Sequence, residues 1–297
     1  MFPFVSGLQG VSRSIVSVVV TASILGAFPA NAAERIVTVT ERSLLRPVPG
    51  GLLTAEAVAS VASGYALEPQ IVAAANGAIL KGVLLRRAGA TRTVLFFGPN
   101  VFTVERGVAI AQILAPFDVN IMMMDYRGYG ASGGTPSIAA FMTDGEAIFD
   151  HLASLPGIGS RSIVVHGHSI GSFVAGHVAA VRPTGGVVLQ SSATAAEDFV
   201  KGQIPPALQD SVKIVVEDSL KSQGNLQNMD KLDEPLLIIV GASDKVTVPS
   251  MSEALYKAST LPEKHKHLAI IARAGHNDVF SQPAALDAYR SFLESIR

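Results

Sequence analysis

The sequence predicts an α/β fold in which a mostly parallel central sheet is covered by helices on both faces. From residue 93 onward, short apolar runs alternate with longer amphipathic segments, and continuous apolar strands that alternate with helices are typical of a buried parallel sheet. Two earlier runs, at 70–75 and 80–86, flank Asn76-Gly77, which is a strong signal for a β-hairpin. An antiparallel hairpin is therefore expected to lead into the parallel sheet.

The individual elements follow from the period and length of each apolar segment. The predicted strands are Thr93–Phe97, Asn120–Asp125, Ile163–His166, Gly186–Gln190, Leu236–Val240 and Leu268–Ala272. The predicted helices are Thr54–Ala62, Val104–Ala115, Ile138–Leu155, Ile170–Val181, Ser250–Ser259 and Ala284–Ile296. A more polar region from Ala193 to Asp230 is predicted to be helical. Reactive side chains collect at the carboxyl ends of the strands in such sheets, so a site is expected among the residues that directly follow each strand.

The composition limits the chemistry and the partners. The 297 residues suit one large domain or two small ones, and the apolar fraction of 48% supports a large core. The net charge of −1 gives no reason to expect nucleic acid as a partner. The chain has no cysteine, which excludes disulfides, thiolate catalysis and thiolate zinc sites.

The first 32 residues are predicted to be a cleaved export signal. Arg13 is their only charged side chain, an apolar stretch follows at Ile15–Phe28, and Ala30-Asn31-Ala32 has the small-x-small pattern of a cleavage site. A membrane anchor is the alternative, but a span needs about 20 apolar residues. We expect a secreted or periplasmic mature chain without a membrane span. Mass spectrometry of protein from its host should then find a first residue at or near Ala33, whereas an intact Met1 in exported material would indicate an anchor.

One serine lies where a strand is expected to turn sharply into a helix. Gly167-His168-Ser169-Ile170-Gly171 matches the pattern G-x-S-x-G, with an apolar strand before it and a helix of small residues after it. This turn exposes the serine hydroxyl, and the following helix N-terminus favours a developing negative charge. Gly130-Ala131-Ser132-Gly133-Gly134 also matches, but Thr135-Pro136 follows it and no helix begins there. Ser169 is therefore the predicted nucleophile, and Ser132 is interpreted as a turn residue.

A serine hydroxyl needs a base, and the base needs an orienting acid. Among the seven histidines, His276 is the one in a loop after the final predicted strand. Asp244 follows the strand Leu236–Val240 and is the favoured acid, in the chain order Ser…Asp…His. Alternative acids are Asp278, which lies on the far side of His276, and the pair Glu197 and Asp198.

Taken together, these motifs resemble those of the α/β-hydrolase superfamily, most closely bacterial serine hydrolases of the BEM46/ABHD13-like group. The resemblance covers about Gln70 to Arg297, and is carried by the loop from Met124 to Ser132, the serine turn at Gly167–Gly171, and the loops that contain Asp244 and His276. It implies an α/β-hydrolase domain at 67–297, behind an N-terminal extension at 33–66. It also implies a small cap at 193–230, whose apolar residues recur at roughly helical spacing and form either a packed helix or a lid. Those residues are Phe199, Val200, Ile204, Leu208, Val212 and Val216.

The resemblance assigns roles residue by residue. Ser169 would be the nucleophile, Asp244 the orienting acid and His276 the base, and the backbone N–H of Ile170 would be one oxyanion donor. The second donor aligns with Asn100, in Gly98-Pro99-Asn100. Pro99 departs from the family pattern and has no N–H to give. Asp125 and Arg127 are expected to be scaffold.

The predicted function is hydrolysis of carboxylic esters or related small acyl substrates, through an acyl-enzyme and without a cofactor or metal. A peptidase or amidase on the same fold is an alternative, because the same groups cleave amides. A non-catalytic binding protein that keeps the fold is the other alternative, and the altered loop at Pro99 is the observation in its favour.

Overall fold

A computed structural model describes residues 35–202, 204 and 212–296; the predicted export signal lies outside them. Its main sheet has eight strands in the order β10-β9-β7-β6-β4-β5-β3-β2. These strands are β2 (Tyr65–Ala73), β3 (Ile79–Arg87), β4 (Thr93–Phe97), β5 (Asn120–Met124), β6 (Ile163–His168), β7 (Gly186–Gln190), β9 (Leu236–Gly241) and β10 (Lys266–Ile271). A separate two-stranded sheet pairs β1 (Arg35–Val39) with β8 (Val212–Val216).

Nine α-helices are assigned in the described part of the chain. They are α1 (Glu41–Leu44), α2 (Ala55–Ala59), α3 (Val108–Leu114), α4 (Ile138–Ser154), α5 (Ile170–Val181), α6 (Ala196–Gly202), α7 (Asp218–Lys221), α8 (Pro249–Ala258) and α9 (Pro283–Ser295). Every helix predicted outside 193–230 is present, although the segment before α3 is a short 3-10 turn. Within the described residues, no helix is both long and apolar enough to span a bilayer.

The predicted hairpin and the parallel sheet are both present. β2 pairs antiparallel with β3, and β3 pairs antiparallel with β5. Between the two strands of the hairpin, Asn76 and Gly77 have φ values of 65° and 75°, a left-handed conformation that Asn and Gly tolerate better than other residues. The remaining pairs from β5 to β10 are parallel.

The core lies on both faces of the sheet, because successive side chains of a strand point to opposite sides. In β4, Leu95 and Phe97 belong to one buried apolar cluster, whereas Val94 and Phe96 belong to the other. The strands β4, β5, β6, β7 and β9 are buried along their whole length. This explains why they appear in the sequence as uninterrupted apolar runs. Their parallel pairing places their carboxyl ends at one edge.

The region 193–230 differs from the predicted helix. Its first part is helical, in α6, but Val212 and Val216 lie in the strand β8, and Leu208 lies outside the described residues. β8 pairs in parallel with β1 of the N-terminal extension, from Arg35 opposite Val212 to Val39 opposite Val216. The β-branched run of β8 suits a strand, yet its partner comes from more than 170 residues earlier in the chain, and local periodicity does not show such a pairing.

Candidate active site

The turn between β6 and α5 holds Ser169 in a strained conformation. Ser169 has φ 56° and ψ −119°, a region that non-glycine residues rarely occupy. Close packing on either side requires glycine. A Cβ on Gly167 would lie 2.2 Å from the Gly171 carbonyl oxygen, and a Cβ on Gly171 would lie 2.1 Å from the carbonyl oxygen of Phe97. The two glycines of the motif thus let α5 start directly against the ends of β6 and β4.

A buried polar network lies behind the serine and was not foreseen from the sequence. The Ser172 hydroxyl donates to the Ser169 carbonyl at 2.5 Å and lies 2.9 Å from the Ser192 hydroxyl. The Asn225 amide, fully buried, donates to the Ser192 hydroxyl and to the Ser172 carbonyl, both at 2.9 Å. These bonds hold the first turn of α5 at Ser169 and tie it to the segment that follows α7.

The structure joins the three predicted catalytic side chains by two consecutive hydrogen bonds, from Ser169 to His276 and from His276 to Asp244. The Ser169 Oγ is 3.0 Å from the His276 Nε2, and the His276 Nδ1 is 2.9 Å from the Asp244 Oδ2. Ser169 and His276 are half-buried and Asp244 is buried. They come from the loops after β6, β9 and β10, which parallel pairing brings to one edge.

The Asp244 carboxylate is held as an ionised acceptor. Its Oδ1 accepts the N–H groups of Val246 and Thr247 at 2.8 and 2.9 Å. Its Oδ2 accepts the Thr247 hydroxyl at 2.9 Å besides facing His276. Burial by itself raises the pKa of Asp244, but the hydrogen bond to His276 and the backbone N–H bonds outweigh burial, so that the pKa lies below its usual value. Thr247, also 3.2 Å from the His276 Nδ1, is a site residue that sequence reasoning missed.

Two side chains fix the backbone of the loop that carries His276. The His168 Nε2 lies 3.0 Å from the His276 carbonyl oxygen, and the Ser191 hydroxyl donates to the same oxygen at 3.3 Å. Since a carbonyl oxygen only accepts, the His168 Nε2 must carry a proton. Burial, with a smaller contribution from the His276 imidazole, lowers the pKa of His168 to about 3, so it is a neutral donor at ordinary pH. His168, which occupies the first variable position of G-x-S-x-G, therefore helps to hold the loop that carries His276.

The buried neutral histidines predict how stability depends on pH. Burial lowers the pKa of His166 to about 4 and that of His168 to about 3, whereas an unfolded histidine titrates near pH 6.5. Below about pH 6.5 the unfolded chain binds protons that the folded chain does not. The free energy of unfolding therefore decreases as the pH is lowered, by at most about 1.4 kcal/mol per pH unit for each histidine. Urea unfolding between pH 7 and 5 should be less pH-dependent in His168→Gln, which keeps an N–H donor without titrating. The exposed control His267→Gln should leave the slope unchanged, and equal slopes in all three proteins would contradict this reading.

The alternative acids and bases are occupied elsewhere. Glu197 pairs with Lys201 at 3.2 Å, and Asp198 accepts the Thr194 hydroxyl. Asp278 is exposed and accepts the Gly275 N–H at 2.6 Å. The other histidines face Gln70 (from His151), Gln190 (from His166) and Glu146 (from His177), or are exposed (His265 and His267).

The second match to the serine pattern is part of the scaffold. The Ser132 hydroxyl donates to the Asp125 carbonyl and accepts the Lys81 N–H, both at 2.9 Å. The Asp125 carboxylate accepts the N–H groups of Val104 and Ala131. Arg127 forms a buried ion pair with Asp144 at 2.5 Å. Each of these groups holds the loop after β5 in place, as expected for a scaffold.

The two predicted oxyanion donors have different surroundings. Ile170 is the first residue of α5, where the N–H groups have no acceptor inside the helix. The side chain of Asn100 is engaged elsewhere, since its Nδ2 donates to the Leu44 carbonyl and its Oδ1 accepts the Arg46 N–H and the Tyr129 hydroxyl. Only the backbone N–H of Asn100 is left for the predicted role.

Comparisons with known proteins agree with the predicted fold. A protein-family model described as "Serine aminopeptidase, S33" matches residues 101–223. An uncharacterized protein of Mycobacterium tuberculosis is 27% identical over 207 residues, which cover 69% of this chain and 70% of the relative. The α/β hydrolase domain-containing protein WAV2 of Arabidopsis thaliana is 28% identical over 177 residues, 55% of this chain and 56% of the relative.

Among solved structures, an esterase of Pyrococcus furiosus superposes with a TM-score of 0.66 at 18% identity, covering 85% of this chain and 97% of the esterase. Three observations agree with the α/β-hydrolase class that the sequence motifs predicted. They are the sheet order, the strained serine at the turn from strand to helix, and these matches. The chain belongs to the α/β-hydrolase superfamily. The matches also support a hydrolase of the serine type.

Proposed function

We propose that this protein is a serine hydrolase that cleaves carboxylic esters of small acyl substrates through an acyl-enzyme. The observation that carries the proposal is the pair of distances, 3.0 Å from Ser169 to His276 and 2.9 Å from His276 to Asp244. Both lie within hydrogen-bond reach, which a nucleophile, its base and an orienting acid require. If the predicted export signal is cleaved, the reaction takes place outside the cytoplasm.

The acylation step follows from this geometry. As the Ser169 Oγ attacks the ester carbonyl carbon, its proton passes to the His276 Nε2. The Asp244 carboxylate accepts from the His276 Nδ1, which sets the tautomer of the imidazole and stabilises the imidazolium that forms. The imidazolium then protonates the leaving alkoxide as the carbon–oxygen bond breaks, and the acyl group remains on Ser169.

Deacylation uses the same groups in reverse. Water attacks the acyl carbon while its proton passes to the His276 Nε2, and that proton returns to the Ser169 Oγ when the acid leaves. In both steps negative charge develops on the carbonyl oxygen, and preorganised N–H donors lower the barrier to forming it. The N–H of Ile170, at the positive end of α5, is the first such donor. The second is proposed to be the backbone N–H of Asn100.

A second candidate reaction is removal of an N-terminal amino acid from a peptide. The description of the matching family model, a serine aminopeptidase, favours it, because the chemistry at Ser169 is the same for an amide. Ester hydrolysis is favoured instead by the similarity in fold to the esterase of Pyrococcus furiosus.

A substrate panel separates the two reactions. The purified mature chain should hydrolyse p-nitrophenyl esters of graded acyl length with a kcat/KM at least about 100-fold above that for aminoacyl p-nitroanilides, because the ester is the intrinsically easier bond and no group in the proposal is specific to an amine. The esters release p-nitrophenol and the anilides release p-nitroaniline, and each product is measured by its own absorbance. Faster turnover of the anilides would support the aminopeptidase, and no turnover of either by folded protein would favour the binding-protein alternative.

A further inference from the structure

The N-terminal extension runs along the edge of the sheet that carries the site. We call residues 35–54 the strap. Beyond β1, its Glu41 carboxylate accepts the Ile138 N–H at 3.1 Å, and its Val48 carbonyl accepts the Gly130 N–H at 2.8 Å. Ile138 and Gly130 both follow β5, whose carboxyl end lies at the same edge as that of β6, because β4, β5 and β6 are parallel. The strap therefore lies on the loops of the site's edge.

The strap is fastened to the loop after β4 by a closed set of hydrogen bonds. The Asn100 Nδ2 donates to the Leu44 carbonyl at 2.6 Å, and the Asn100 Oδ1 accepts the Arg46 N–H at 3.0 Å. The Tyr129 hydroxyl donates to the Asn100 Oδ1 and accepts the Arg46 N–H, both at 2.9 Å. Tyr129 is 1% exposed. We call Leu44, Arg46, Asn100 and Tyr129 the latch. Within it, the side chains of Asn100 and Tyr129 bond both the Leu44 carbonyl and the Arg46 N–H of the strap.

The loop that the latch holds is strained and packs against the start of α5. Val101, directly after Asn100, has φ 64°, which is unfavourable for a β-branched residue. Such conformations persist where the surrounding structure holds them. The loop also touches α5, since a Cβ on Gly171 would lie 2.6 Å from the Gly98 carbonyl oxygen. A shift of this loop would therefore move its N–H groups relative to Ser169.

We propose that the strap is a working part of the active site, and that Asn100 and Tyr129 are positioning residues that hold the loop after β4 for the reaction on Ser169. The inference rests on the proposed function. It gives the Asn100 side chain a role distinct from that of an oxyanion donor. Cleavage at the predicted site after Ala32 leaves the whole strap in the mature chain.

The first test compares two tyrosines that differ in place but not in chemistry. Tyr129→Phe removes the hydroxyl at the latch. Tyr65→Phe removes a hydroxyl that donates to the Val119 carbonyl at 2.9 Å, before β5 and hence at the opposite edge of the sheet. Both changes delete one hydroxyl and leave the ring. Tyr129→Phe should lower kcat about tenfold with KM changed less than about twofold, since even a displacement of about 1 Å can cost 10²-fold. Tyr65→Phe should leave kcat unchanged.

A second matched pair uses the latch amide. Asn100→Asp keeps the size of the side chain but places a carboxylate oxygen opposite the Leu44 carbonyl, where an N–H donor is needed. Asn120→Asp makes the same change in a buried residue at the opposite edge, where Asn120 bonds the Arg87 N–H and the Thr93 hydroxyl. We expect a loss of kcat of about tenfold or more in Asn100→Asp only. This isosteric pair carries the test if Tyr129→Phe does not fold.

The readout separates positioning from stability. A fluorophosphonate probe titrates the functional sites in each preparation, and kcat is expressed per labelled site, so unfolded molecules do not count. The proposal is supported if kcat per labelled site falls in the latch variants and stays constant in the two controls. It is overturned if the latch variants have fewer labelled sites or a lower unfolding midpoint but an unchanged kcat per site. Absence of labelling in folded wild-type protein would instead overturn the proposed function, and the role of the latch with it.

Discussion

Ser169→Ala is expected to abolish both labelling by a fluorophosphonate and hydrolysis of p-nitrophenyl esters, with kcat falling by more than about 10⁴-fold. The probe forms a bond from phosphorus to an activated serine oxygen and releases fluoride, so it needs a hydroxyl, a base beside it and donors for the phosphoryl oxygen. Ser169 has the His276 Nε2 at 3.0 Å and the N-terminus of α5 next to it. Intact mass spectrometry measures the label, and absorbance measures the hydrolysis.

The second serine of the same pattern provides the control. Ser132→Ala should keep labelling and kcat, because the Ser132 hydroxyl is bonded to the Asp125 carbonyl and the Lys81 N–H, with no base beside it. A modest loss of stability is expected, since two backbone groups lose a partner. Labelling that persists in Ser169→Ala would remove Ser169 from the role of nucleophile. If folded wild-type protein is never labelled, the oxyanion hole is not functional, as the missing N–H at Pro99 would explain, and the binding-protein alternative is favoured.

Asp244→Asn is expected to lower kcat by about 10³–10⁴-fold while the protein remains folded. An amide in place of the carboxylate can turn its NH₂ towards the His276 Nδ1, which favours the tautomer with its proton on Nε2, and that tautomer cannot accept the Ser169 proton. The lost negative charge also no longer stabilises the imidazolium. Labelling rate and kcat should fall together, because both depend on the same base.

The neighbouring carboxylate at Asp278 is the matched control. Asp278→Asn changes a carboxylate only two residues from His276, but Asp278 is exposed and accepts the Gly275 N–H, so kcat should change less than about threefold. Equal effects of the two substitutions would show that Asp244 acts only through the shape of the loop. A mild effect of Asp244→Asn would contradict the role of Asp244 as the orienting acid. The other predicted acids could not explain such a result by substituting for it, because Glu197 is paired with Lys201 and Asp198 is bonded to Thr194.

Much of the fold could be predicted because it depends on local pattern. The strands β4, β5, β6, β7 and β9 are buried on both faces and so form continuous apolar runs, and the hairpin turn needs the left-handed residues Asn76 and Gly77. The identities of Ser169, Asp244 and His276 also followed from position, because each lies in a loop directly after a parallel strand. Parallel strands place such loops at one edge, so the three side chains could be expected to lie close together.

Contacts between distant segments were decided by the tertiary structure alone. The pairing of β1 with β8, the Asn100 amide facing the strap, and the convergence of His168 and Ser191 on the His276 carbonyl join residues far apart in the chain. A short stretch of sequence does not show which distant residue a side chain will meet. Val212 and Val216 therefore matched a helical spacing, and the contact of the Asn100 side chain with the strap was not foreseen. The sequence by itself determined the elements of the main sheet and the residues that are proposed to react. The packing of those elements decided which polar groups meet, because a buried donor or acceptor must find its partner wherever the folded chain brings one.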